Sequence, residues 1–141
     1  MLEAAGSSPW RATLPHSVEA VPLARAMVRT ALAHLDEPTH SDTAELLTAE
    51  LVANAIQHTT GETPIELVVE ILPTGCQVEV HDGDPAPPGN LSHPGTMPDP
   101  WQEDGRGLLL ISTLSAACGH RPTDQGKAVW FTLPARRAES A

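Results

Sequence analysis

Glu50, Asn54 and His58 recur every fourth residue within ELLTAELVANAIQHTTGE, residues 45–62. Each offers a different chemistry. Glu50 is a carboxylate that can take a proton as a general base. Asn54 brings an amide oxygen, a hard donor suited to a cation such as Mg²⁺. His58 can donate a hydrogen bond to a phosphate oxygen. On a helix, steps of four residues advance by only about 40°, so the three share one narrow stripe. Thr43 and Gln57 fall near that stripe, and Leu47 is its one apolar member. Ala49, Leu51, Val52, Ala53, Ala55 and Ile56 fill most of the remaining circumference. A solvated surface helix shows the reverse balance. The helix is therefore expected to be mostly buried, with its polar stripe lining a cleft. E-x-x-x-N is also a common spacing for polar residues where a helix meets solvent, so the stripe does not identify a site unaided.

Two further motifs carry chemistry. VEVHDGD ends an alternating run at Asp82, with Gly83 next. A carboxylate there can accept a hydrogen bond from an adenine amino group, although Asp also commonly starts turns. A calcium loop is discounted, because no glycine stands at its sixth position and no glutamate at its twelfth. Later, GRGLLL sets Gly105 and Gly107 around Arg106 ahead of an apolar run. Free backbone N–H groups at the start of a helix, with the positive end of its dipole, face an anion. Such a pair of glycines can equally end a loop. The chain lacks G-x-x-x-x-G-K-[ST], which argues against a P-loop NTPase.

These motifs need elements to hold them. SVEAVPLARAMVRTALAHL (17–35) reads as a first helix, with Pro22 in its opening turn. The second helix is expected over 43–58, capped by Ser41 or Asp42. PIELVVEIL (64–72) and CQVEVHD (76–82) alternate about a PTG turn and form an antiparallel hairpin. Residues 105–119 read as a third helix ended by Gly119, and 127–134 as a closing strand. WRATLP near the start is a further strand candidate. Between them, residues 83–104 hold six prolines and three glycines, a composition that supports neither helix nor strand. So long an irregular segment between two candidate motifs reads as a lid, against the plainer alternative of a surface excursion. The expected fold is α+β: a two-layer α/β sandwich with a largely antiparallel mixed sheet and helices on one face. One domain is expected over 10–134, with flexible termini at 1–9 and 135–141.

Composition narrows the partners. A formal net charge of −10 argues against direct nucleic-acid or anionic-membrane binding. It leaves room for a nucleotide held through a divalent cation and backbone amides. No run approaches the roughly 18 apolar residues of a membrane span, and no secretion signal is visible, so the expected location is cytoplasmic. Cys76 and Cys118 lack ligand spacing and fall on expected apolar faces. They are expected to be buried thiols in a reducing compartment rather than a disulfide.

The order of the motifs is more specific than any one of them. E-x-x-x-N-A-x-x-H on a helix, a hairpin ending in Asp, a long lid, and G-x-G opening a helix: this resembles the GHKL ATPase superfamily. The short single-domain form and the ending GKAVWFTLP are most similar to the anti-sigma-factor serine kinases of that group. The resemblance covers roughly residues 10 to 134. It implies ATP and Mg²⁺ as cofactors, with Glu50 as the base that activates a serine hydroxyl or water. It also implies Asn54 as the Mg²⁺ ligand, His58 near the phosphates, and Asp82 with Gly83 at the adenine. Gly105, Arg106 and Gly107 would close the lid over the phosphates. The implied partner is an antagonist protein with a target serine; a sigma factor and a second copy of the chain are further candidates. The sequence departs from the family's D-x-G-x-G, reading Asp82-Gly83-Asp84-Pro85-Ala86, and has Gln102-Glu103-Asp104 where relatives carry an arginine ahead of G-x-G. An ATP-binding interaction module without phosphotransfer is the alternative function. A metal-dependent hydrolase would have to use His58, His81, His93 and His120, which lack H-E-x-x-H spacing.

Overall fold

The computed structural model describes residues 9–33, 41–59, 63–84, 111 and 114–134. Alternation of β-branched and polar residues gives the hairpin of β2 (Ile65–Leu72) and β3 (Gly75–Asp82), joined by a two-residue turn. Gly75 closes that turn with φ of +153°, and a Cβ there would fall 1.9 Å from the Leu133 carbonyl oxygen. No other residue fits. β1 (Trp10–Leu14) pairs with β2, and β5 (Gly126–Pro134) pairs with β3. β4 (Ala117–Thr123) takes the far edge, giving the order β1-β2-β3-β5-β4 with every pair antiparallel.

Residues opposite one another in this register share a face. One row crosses the sheet as Trp10, Val69, Val78, Phe131 and Cys118; the next as Ala12, Leu67, Val80, Val129 and His120. These rows face the helices. α1 (Ala20–Leu32) packs on β1 and β2 through Ala20, Ala24, Val28 and Ala31, and α2 (Ser41–His58) packs on β3 and β5 through Ala44, Leu47, Leu51 and Val52. The two helices are tied together by Glu45, which accepts from Arg29 at 2.9 and 3.1 Å and lies 3.7 Å from Arg25. Arg29 is the main cause of the lowered Glu45 pKa, against the opposing effect of burial. This is the expected two-layer α+β sandwich.

The opposite face of the sheet is polar and carries a network centred on Glu79. Arg121 crosses β5 above Ala128 and donates to both Glu79 oxygens at 3.0 Å. His81 Nε2 and Gln77 Nε2 donate to the same carboxylate at 2.9 and 2.7 Å. Beside it, the Trp130 ring lies over Gly119, where a Cβ would come within 3.0 Å of the indole. The aromatic ring thus shields an edge-strand glycine.

Three expectations need correction. The helix expected over 105–119 does not reach Gly119: residues 111 and 114 are helical, and the chain is already in β4 at Ala117. Ser115 ends the helix by donating from both its amide and its hydroxyl to the Ile111 carbonyl. The Ala116 amide then bonds Thr132 and starts the ladder. Ser41 and Asp42 do not cap α2 from outside; both lie in its first turn, where the Asp42 charge complements the helix dipole. Cys118 is half-buried on edge strand β4 rather than buried on a helix, while Cys76 is buried, and both are free thiols. Residues 85–104 of the expected lid, Gly105, Arg106, Gly107, the His58 side chain and residues 1–8 and 135–141 lie outside the described residues.

Candidate functional site

α2 runs unbroken from Ser41 to His58, so Glu50 and Asn54 stand one turn apart on a common stripe, both half-buried. Asn54 Oδ1 is enclosed and has no hydrogen-bond partner among the described residues. A buried amide oxygen left without a donor costs about 1–3 kcal/mol. That makes it a fit for a hard cation, which would supply the missing electrostatic partner. Thr48 Oγ1 is also buried without a partner, but at 100° per residue it stands about 160° round from Glu50 and belongs to the core side.

The second part of the site is built where β3 ends and β5 begins. Asp82 and Lys127 are cross-strand partners on the helix-side face. Lys127 Nζ donates to Asp82 Oδ1 at 3.1 Å and to the Asp84 carbonyl at 3.0 Å. The Asp84 amide donates to the same Oδ1 at 2.8 Å. The side chains are 3% and 8% exposed, so this is a buried ion pair. Gly126 permits it. A Cβ at that position would lie 2.1 Å from the Asp82 carbonyl oxygen and 2.6 Å from the Gly83 backbone. On the other side, Gly83 comes within 3.3–3.4 Å of Thr63 when given a Cβ.

Chain length brings the two parts together. Thr63 lies within 3.3 Å of where a Cβ on Gly83 would stand, and it is only four steps along the chain from Thr59, which follows α2 directly. Four residues span at most about 14 Å. The C-terminal end of α2, with Asn54 one turn inside it, therefore sits at the same end of the sheet as Asp82. His16 fixes that end to the β1–α1 connection: Thr59 Oγ1 donates to the Ala55 carbonyl at 2.5 Å and accepts from His16 Nε2 at 2.7 Å.

The structure places Glu50 and Asn54 one turn apart on α2, and Asp82 and Gly83 where β3 ends. Lys127 and Gly126 were missed, and so was Thr63. A signal for Lys127 was present: in GKAVWFTLP it alternates in phase with Val129, Phe131 and Leu133, so a lysine was bound for the buried face. Among the described residues no group of three or more His, Cys, Asp and Glu forms a metal cluster, and no helix is long and apolar enough to cross a membrane.

Compared with curated proteins, the chain matches none. Residues 14–133 match the family model of the histidine kinase-like ATPase domain. That span runs from the last residue of β1 to within one residue of the end of β5, and contains both parts of the site. The chain therefore belongs to the histidine kinase-like ATPase domain family, within the GHKL superfamily, and is an ATP-binding domain of regulatory type.

Proposed function

We propose that the chain binds Mg-ATP between the C-terminal half of α2 and the Asp82 end of the sheet, and transfers its γ-phosphoryl group to a serine on a small antagonist protein. The observation that carries this is Asn54 Oδ1, buried and without a hydrogen-bond partner among the described residues, one turn from the half-buried Glu50. Asn54 would hold the cation, whose remaining ligands would come from phosphates and water. When bound, ATP would supply the phosphoryl group and Mg²⁺ would neutralise its charge. The chain's own part is positioning and proton handling. Asp82 accepts a hydrogen bond from the adenine amino group. Glu50 accepts the serine proton as the serine oxygen bonds to phosphorus and the bond from the γ-phosphorus to the β–γ bridging oxygen breaks. Few groups are needed, since phosphoryl transfer is mostly orientation and electrostatic stabilisation.

An ATP-binding module without transfer is favoured by one feature of the chain, the replacement of the later glycines of D-x-G-x-G by Asp84 and Ala86. Glu50→Gln separates the readings, because it keeps shape and hydrogen-bonding reach but loses the proton acceptor. In the kinase reading, the variant binds ATP as well as the native protein and loses about 10²- to 10⁴-fold in transfer rate. No transfer by the native protein to any serine-bearing antagonist establishes the module instead.

A further inference from the structure

Lys127 is in an unusual place for a lysine. Its strand-mates Val129, Phe131 and Leu133 are core residues, and its own side chain is 8% exposed. Burying a cation and a carboxylate together is often no more stabilising than an apolar pair of similar size. Stability is therefore a weak account of the Asp82–Lys127 pair, and its geometry is more informative. Three hydrogen bonds close on one short stretch: Lys127 Nζ to Asp82 Oδ1, Lys127 Nζ to the Asp84 carbonyl, and the Asp84 amide to Oδ1. Oδ1 thereby accepts two hydrogen bonds and is close to saturated. Among the described residues no hydrogen bond reaches Oδ2.

We propose that Lys127 is a positioning residue for base recognition: it pins Asp82 through Oδ1 and the Asp84 backbone, leaving Oδ2 as the fixed acceptor for the amino group of an adenine. The inference rests on the reading of Asp82 given above and deepens it. A carboxylate free to rotate offers either oxygen to either polarity of neighbour through water. A pinned one presents a single acceptor, and a base carrying a carbonyl oxygen at that point leaves two acceptors facing each other. Such mismatches discriminate strongly because a buried polar group is left unpaired. The clamp also bears on the departure from D-x-G-x-G. Where the family pattern has glycine, this chain has Asp84, and Lys127 and Asp82 hold the backbone of that residue from both its amide and its carbonyl.

The test compares ATP with purine riboside 5′-triphosphate, which lacks only the 6-amino group, in titrations of the native protein and of Lys127→Met. The native protein is expected to favour ATP by about tenfold, the worth of one hydrogen bond to a charged acceptor. In Lys127→Met the carboxylate keeps only the Asp84 amide, itself released from Lys127, and turns toward water; the preference is expected to fall to about twofold or less, chiefly through weaker ATP binding. Thermal melting accompanies each titration. Should Lys127→Met not melt cooperatively, Lys127→Gln, whose shorter amide cannot span both partners, is titrated in its place with the same expectation. Equal weakening of both nucleotides, with the native preference retained, overturns the positioning role and leaves Lys127 a structural residue. A native protein that binds the two nucleotides equally overturns instead the assignment of Asp82 to the adenine, a distinct result.

Discussion

Glu79 sits on the sheet face away from the helices, and replacing it tests how that face is held together. Its side chain is 12% exposed, and burial, the largest single influence, would raise its pKa. Hydrogen bonds from Arg121, His81 and Gln77, together with the Arg121 charge, outweigh burial and bring it from an ordinary 4.5 down to about 2. The difference corresponds to a ceiling of roughly 3 kcal/mol at about 1.4 kcal/mol per tenfold in proton affinity. Arg121, however, is 48% exposed, so solvent screening reduces the contribution to about 1–2 kcal/mol. The sign follows from linkage: a carboxyl with a depressed folded-state pKa adds stability above its unfolded value and loses it as pH falls toward the folded one. Glu79→Gln should therefore unfold at lower urea than the native protein at pH 7, with Tm lower by about 3–8 °C. That gap should narrow between pH 5 and pH 2, where the native protein surrenders the same contribution. Urea melts of both proteins at pH 7, 5, 4 and 3 provide the assay. A gap that stays constant across the series, or is absent at pH 7, refutes the reasoning.

Gly126→Ala places a methyl group 2.1 Å from the Asp82 carbonyl oxygen, so β5 or the Asp82–Gly83 backbone must move. A cost of about 1–3 kcal/mol is expected in a thermal melt, with weaker ATP binding in titration, whereas native affinity would separate this backbone contact from the site. The buried Cys76 thiol is pushed up to about 11 by burial, against a smaller lowering from the Leu133 backbone. At pH 8 iodoacetamide should label Cys118 and spare Cys76 until urea is added, and mass spectrometry of the peptides gives the ratio; equal labelling under native conditions contradicts the packing.

Periodicity made α2 and the β2–β3 hairpin legible in the sequence, because a 3.6-residue stripe and strict alternation survive without tertiary information. β4 was not legible. ACGHRPT holds a glycine, a proline and three polar residues, and it becomes a strand only by pairing with β5. Pro122 is tolerated there because the strand lies at the sheet edge. The run of helix-compatible residues from Leu108 to Cys118, ended by Gly119, therefore suggested a helix reaching further than it does. Within the site, Glu50, Asn54 and Asp82 could be read from local patterns. Lys127 could be seen as in phase with the core, but its partner depends on the register of β3 against β5, which no local pattern states. The Glu79–Arg121 pair was hidden for the same reason, since it spans strands that are not neighbours.

The α2 stripe and the Asp82 end of the sheet are proposed to form one Mg-ATP site. ATP titrated into the native protein and into Asn54→Ala, each with Mg²⁺ and with chelator, tests it most directly. The native protein should bind ATP more tightly with Mg²⁺ than without, while Asn54→Ala, still folded by its melt, should bind it equally weakly in both. Native affinity indifferent to chelation, or full Mg²⁺ dependence retained by Asn54→Ala, would contradict the account.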